Sequence, residues 1–176
     1  MKKYIYRFLF SLLRFAPQSC NKVLGKTFKT LRATAAKGFV RYCGKNVNIE
    51  RGAVISSKLS IGDNSGIGVD CICGGELCIG TDVMMGPECV VFSRNHEIAN
   101  TEVPMWRQGY QEERGCTIGN DVWIGRRVMI MPGVHIGNHC VIGAGSVVTK
   151  DIPDWAIAAG NPAVVKKYRK RTERLG

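Results

Sequence analysis

The sequence predicts an all-β domain: a left-handed parallel β-helix of six-residue repeats, with a helical segment before it, one extruded loop and a short C-terminal helix. Three observations predict it. An aliphatic residue recurs every six positions at Ile118, Ile124, Ile130, Ile136, Ile142 and Val148. Glycine follows four of these, as Gly119, Gly125, Gly137 and Gly143. The same count runs upstream without a slip, from Cys43 through Ile49, Ile55, Ile61, Ile67, Cys73, Ile79 and Met85 to Val91. A strand repeats every two residues and a helix every 3.6, so a period of six fits neither. It fits one short flat strand plus one corner, with the first and fifth residues pointing inward. Three such units close one triangular coil. Coils stacked in parallel at about 4.8 Å then share one continuous core. The left hand departs from the usual crossover rule and rests on the register alone.

Residues 1–42 precede the repeats. MKKYIYRFLFSLLRFAP is apolar and aromatic, but Arg7 and Arg14 interrupt it. It is too short and too charged to span a bilayer, and no small-residue cleavage site follows it cleanly. It reads as a helix ending before Pro17, packed on the coil or a neighbouring subunit, or lying peripherally on an anionic membrane. Residues 19–41 read as a second, basic helix whose Lys and Arg form a solvated face.

The repeats occupy residues 43–163. Their fifth positions are small or branched: Val47, Ala53, Leu59, Ser65, Cys71, Leu77, Val83 and Cys89. Six of the eight cysteines fall in register, Cys43 and Cys73 at the opening position and Cys71, Cys89, Cys116 and Cys140 at the fifth. They read as small apolar fillers, reduced, in a cytoplasmic protein. No C-x-x-C pair suggests zinc. Between Val91 and Ile118 the count of sixes fails, because the step is four and a half repeats. Residues 97–115 must therefore leave the coil as a loop, with His96 at its threshold. A long loop in a tight repeat array is usually functional.

Asn161-Pro162 ends the repeats, and residues 164–176 read as a basic helix capping the open edge. Charge follows this division. Residues 1–51 carry +11, residues 52–163 carry −5 and residues 164–176 carry +5. A mildly acidic core with two basic ends argues against a nucleic-acid partner.

Several motifs together resemble the hexapeptide-repeat acyltransferases, in the branch of the maltose, galactoside, capsule and colanic-acid sugar O-acetyltransferases. They are Asn95-His96 before the loop, NDVWIG at 120–125, PGVHIG at 132–137, VIGAGSVVTKDIP at 141–153 and GNPAVVKK at 160–167. The resemblance covers roughly residues 43–170. It implies acetyl-CoA as co-substrate, a sugar or glycan acceptor of the capsule, exopolysaccharide or lipopolysaccharide kind, no metal, and a homotrimer with active sites between subunits. Transfer from a thioester to a hydroxyl needs a base, and His96 is the candidate, with Asn95 and Glu97 as groups that could orient the ring. The resemblance places Trp123 beside the donor, the amides near Ala144 and Thr149-Lys150 along the pantetheine and phosphates, and Lys167 at a CoA phosphate. Two positions depart from the family. Val164 stands where a relative has arginine, and Gly66 stands where the galactoside enzyme has a substrate-binding asparagine.

Other readings predict different chemistry. An amino-sugar nucleotide or serine could replace the sugar hydroxyl as acceptor. A γ-carbonic-anhydrase-like zinc protein needs three histidines, and only His96, His135 and His139 are present, in unsuitable spacing. A cysteine acyl-enzyme needs a reachable thiolate. A non-catalytic scaffold predicts no thiol release from acetyl-CoA.

Overall fold

The computed structural model describes residues 2–169. Helices α1 (Lys2–Leu13) and α2 (Gly25–Lys37) precede a three-faced stack of coils. The first face carries β1 (Tyr42–Cys43), β4 (Leu59–Ile61), β7 (Leu77–Ile79), β10 (Cys116–Ile118) and β13 (His135–Ile136). The second carries β2 (Asn48–Ile49), β5 (Gly66–Ile67), β8 (Met84–Met85), β11 (Trp123–Ile124), β14 (Val141–Ile142), β16 (Ala156–Ala159) and β17 (Val164–Tyr168). The third carries β3 (Val54–Ile55), β6 (Ile72–Cys73), β9 (Val90–Val91), β12 (Met129–Ile130) and β15 (Val147–Val148).

The inward residue of each six meets its counterpart one coil on: Cys43 pairs with Ile61, Ile61 with Ile79, Ile79 with Ile118, and Ile118 with Ile136. These positions are buried, and the in-register cysteines are buried with them as free thiols. Burying one such isoleucine contributes about 1.5–3 kcal/mol. Coils approach closely where glycine permits. A Cβ on Gly62 would sit 2.6 Å from the Gly80 carbonyl oxygen.

Backbone hydrogen bonds join the coils in both directions: Gly44 N donates to Ile61 O (2.9 Å) and Gly80 N to Ile118 O (2.8 Å), while Asn64 N donates back to Lys45 O (2.9 Å) and His139 N to Asn120 O (2.8 Å). Each end of the stack is therefore left with outward N–H and C=O groups that need partners. Helix α2 packs against β1 and β2, where the buried Arg32 donates from Nε to Ile49 O (2.6 Å) and from a terminal nitrogen to Pro17 O (2.8 Å). Arg32 also pairs with Glu50 at 3.4 Å. The expectation of a solvated basic face thus fails at Arg32, because the outward Ile49 carbonyl on the open edge of the first coil needs a donor. At the other end, carboxylates accept: Asp151 takes the His135 N–H (2.8 Å) and Asp154 the Asn138 N–H (2.7 Å).

The expected C-terminal helix is corrected over residues 164–168. They form β17, antiparallel to β16. The edge of β16 offers unpaired backbone groups, and the β-branched Val164-Val165 suits a strand. Residues 170–176 lie outside the described residues. The extruded loop is present where the count of sixes fails. Val91 on the third face leads to Ile118 on the first, and the chain spends four and a half repeats on a step that takes one repeat elsewhere.

Candidate active site

The loop leaves at the corner between the third and first faces. Its two limbs pair: Glu97 N donates to Gly109 O (3.1 Å), Gln111 N to Asn95 O (2.9 Å) and Arg114 N to Ser93 O (2.7 Å). His96 bridges Tyr110 across the limbs. The two rings lie 4.3 Å apart, and the Arg94 guanidinium sits 4.0 Å from the Tyr110 ring centre. His96 is exposed, and among the described residues neither ring nitrogen has a hydrogen-bond partner. Its sequence neighbours are engaged elsewhere. Glu97 accepts from Gln111 (3.4 Å), and Asn95 offers its main-chain carbonyl to Gln111. In a single chain, the aromatic face of Tyr110 sets the ring's position. No repeat position marks Tyr110 in the sequence. Its pairing with His96 depends on where the loop limbs close.

Thr149 and Lys150 follow β15 at the same corner, and both are exposed. Trp123 projects from the second face with 54% of its surface exposed. Cross-strand register puts it in one outward row: Met84, Trp123, Val141, Ile157, Lys167. The antiparallel return of β17 brings Lys167 into this row, which sequence spacing did not reveal. Ala144 sits at the corner between the second and third faces, exposed and tight against the coil above. A Cβ on Gly125 would lie 2.5 Å from the Ala144 nitrogen. The candidate residues of one chain therefore divide between one corner (His96, Thr149, Lys150) and the second face with its other corner (Trp123, Lys167, Ala144).

Above Trp123 the second face holds a groove of about 320 Å³, lined by polar groups including Lys29, Asn48, Glu50 and Asn64. Gly66 forms part of its floor. Unlike Gly62, Gly66 is not required by packing, since the nearest atom to an added Cβ is Asn48 O at 3.6 Å. Burial pushes the Glu50 carboxyl up, but hydrogen bonds from Ser19 and Asn48 and the charge of Arg32 hold it below its ordinary value.

The remaining histidines have local partners. His135 Nδ1 meets the Thr117 hydroxyl. His139 Nδ1 lies 2.9 Å from Asp121 and its ring stacks on Trp155 at 4.0 Å. Asp121 also accepts from Arg169 (2.9 Å), and hydrogen bonds from His139 and then Arg169 hold its carboxyl down. Asp121 and His139 stand one full coil apart in sequence, a spacing that could have revealed the pair. Among the described residues no three His, Cys, Asp or Glu side chains group as a metal site would require. Burial pushes the Cys43, Cys116 and Cys140 thiols up, and Cys73 up to about 12. Those thiols are poor nucleophiles at neutral pH.

Comparison with known proteins accords with this architecture. Residues 115–150 match the family of bacterial transferase hexapeptide repeats. A galactoside O-acetyltransferase of Lactococcus lactis is 33% identical over 129 residues, covering 73% of this chain and 56% of the relative. The chain thus spans little more than half the length of that relative. A maltose O-acetyltransferase structure from Clostridium difficile superposes with a TM-score of 0.78 at 29% identity, covering 97% of this chain and 87% of that one. A galactoside acetyltransferase in complex with coenzyme A gives a TM-score of 0.75 at 30% identity, covering 95% and 80%. The chain belongs to the hexapeptide-repeat acyltransferases, in the branch that holds the galactoside and maltose O-acetyltransferases.

Proposed function

We propose that the protein transfers the acetyl group of acetyl-CoA to a hydroxyl of a sugar or glycan intermediate in polysaccharide assembly, with His96 as general base. The observation that carries this reading is an exposed imidazole whose ring nitrogens have no hydrogen-bond partner among the described residues, at the mouth of the loop that interrupts the coil. A sugar hydroxyl is almost fully protonated at neutral pH. A neutral imidazole takes its proton as the oxygen attacks the thioester carbonyl. The tetrahedral intermediate then collapses, the carbon–sulfur bond breaks, and the imidazolium returns the proton to the leaving thiolate. Local oxyanion stabilisation would come from backbone N–H groups in the donor groove.

A homotrimer joins the two halves of the site. The third face turns an aliphatic row outward: Val54, Ile72, Val90, Met129 and Val147. Three of these are well exposed in one chain, a surface suited to burial against other copies. Packing third faces about a threefold axis sets the loop corner of one chain beside the second face of the next. His96, Thr149 and Lys150 then face Trp123, Ala144 and Lys167 of a neighbour. Trp123 would flank the pantetheine, and Lys150 and Lys167 would pair with CoA phosphates. The free thiols accord with a cytoplasmic setting, and no helix among the described residues is long and apolar enough to cross a membrane.

The polar groove over Gly66 is the proposed acceptor subsite. Gly66→Asn has room to fold, and should change the ranking of acceptors while leaving the KM for acetyl-CoA within about twofold. Thiol release measured over free sugars, amino-sugar nucleotides, serine and oligosaccharides tests the whole reading, with His96→Ala as control. Activity on a sugar hydroxyl that His96→Ala retains in full would refute the mechanism. Preference for an amino sugar or serine would move the chain to the other acceptor classes.

A further inference from the structure

Helix α1 and the turn after it expose Tyr4, Ile5, Phe8, Leu9, Leu12 and Phe15, the last at 82%. At 100° per residue the five helical members share one arc. Tyr6, Phe10 and Leu13 point the other way, where Tyr6 meets Gly38 and Phe10 packs on Phe39 with ring centres 5.5 Å apart. Exposed Lys2 and Arg7 border the apolar arc on its two sides, with Lys3 beyond Arg7. Inner packing thus accounts for one side of the helix and leaves an apolar stripe with cationic shoulders outside.

Charge decides what covers it. Residues 2–49 contain no Asp or Glu. A second copy laid helix to helix on this surface would bring cations against cations, since neither α1 nor α2 carries an acid. An anionic lipid surface is the complementary partner: apolar and aromatic side chains enter at the headgroup boundary while Lys and Arg reach the phosphates. Further cations lie on α2, where Lys26, Lys29 and Lys37 line a cavity of about 380 Å³ against the first coil. Position agrees as well. Helix α1 packs on α2, which covers the N-terminal end of the coil stack. Docking at an end leaves all three long faces free, and prisms associated side by side would point their end helices in one direction.

We propose that α1 docks the protein on an anionic phospholipid bilayer, with Phe8, Leu12 and Phe15 inserted at the interface and Lys2, Lys3 and Arg7 among the headgroups. The inference goes beyond the acetyl transfer and stands or falls without it. It also predicts that the acceptor is met at a membrane surface.

Flotation of the purified full chain with vesicles tests it, using phosphatidylcholine alone and phosphatidylcholine mixed with phosphatidylglycerol. Wild type should partition to the anionic vesicles roughly a hundredfold more than to neutral ones, and less in high salt. Phe8→Glu/Leu12→Glu should abolish flotation while keeping the oligomeric mass. Lys2→Gln/Lys3→Gln/Arg7→Gln should remove the preference for anionic lipid. Three outcomes overturn the proposal: wild type that does not float with anionic vesicles, wild type that floats equally with neutral ones, or a Phe8/Leu12 variant that loses its oligomeric mass. The last would show that another copy of the chain covers the face.

Discussion

The coil and the loop contrast in what their side chains do. In the coil, nearly every first and fifth residue of a six is buried, and its partners lie one coil away in either direction. In the loop, no side chain of residues 97–115 is fully buried, and the limbs are held by a few backbone hydrogen bonds, by the His96, Tyr110 and Arg94 contacts, and by exposed polar contacts of Gln108 with Asn100 and of Glu113 with Lys58 and Glu76 N. Substitutions should therefore separate stability from activity cleanly: coil changes lower the melting temperature, loop changes lower turnover.

The largest expected effect tests the loop. His96→Ala should lower kcat about 10²–10⁴-fold and leave the thermal midpoint within about 2 °C. A melting shift as large as that of a core variant would break the contrast. Ile124→Ala tests the coil. Ile124 is fully buried on β11, so the truncation should cost about 2–5 kcal/mol in denaturant titration. Its kcat should stay near wild type at temperatures where the chain is folded.

Tyr110→Ala sharpens the loop side. Losing an aromatic contact worth about 0.5–1.5 kcal/mol should lower kcat by up to about tenfold through misplacement of the imidazole. The KM for acetyl-CoA should hold, and a fall in melting temperature with unchanged kcat would make Tyr110 structural only. The smallest effect concerns pH. Glu50 has a depressed folded pKa. Its contribution is therefore present above the unfolded carboxylate value and lost as pH falls through the folded one. Melting temperature should be flat near neutrality and decline in acid. Glu50→Gln should flatten that decline, and an unchanged slope would remove Glu50 from the account.

Much of this contrast is legible in the residues. The unbroken count from Cys43 to Val91 and again from Ile118 to Val148 reads as one repeated coil. Glycine and cysteine at fixed phases read as close approach and small filler. The phase slip before Ile118 reads as an excursion, and His96 stands out because it opens it. What escaped was non-periodic. Arg32 looks like any other base on a basic helix until the open edge of the first coil, with the Ile49 carbonyl, is set beneath it. Val164–Tyr168 looks like a tail until the edge of β16 exists to receive it. The engagement of Asn95 and Glu97 with Gln111 depends on where the loop limbs close.

The sequence by itself determined the repeat, the inward residues, the place of the loop and the identity of its histidine. Those features are set by local period, because burial of every sixth residue works at each coil independently. Only the tertiary structure decided that Trp123 and Lys167 share one outward row, that Tyr110 rather than Asn95 or Glu97 lies against His96, and that Arg32 closes the open edge of the first coil. Each of these joins segments through chain reversal or edge pairing, and no spacing along the chain encodes the point at which an edge meets its partner.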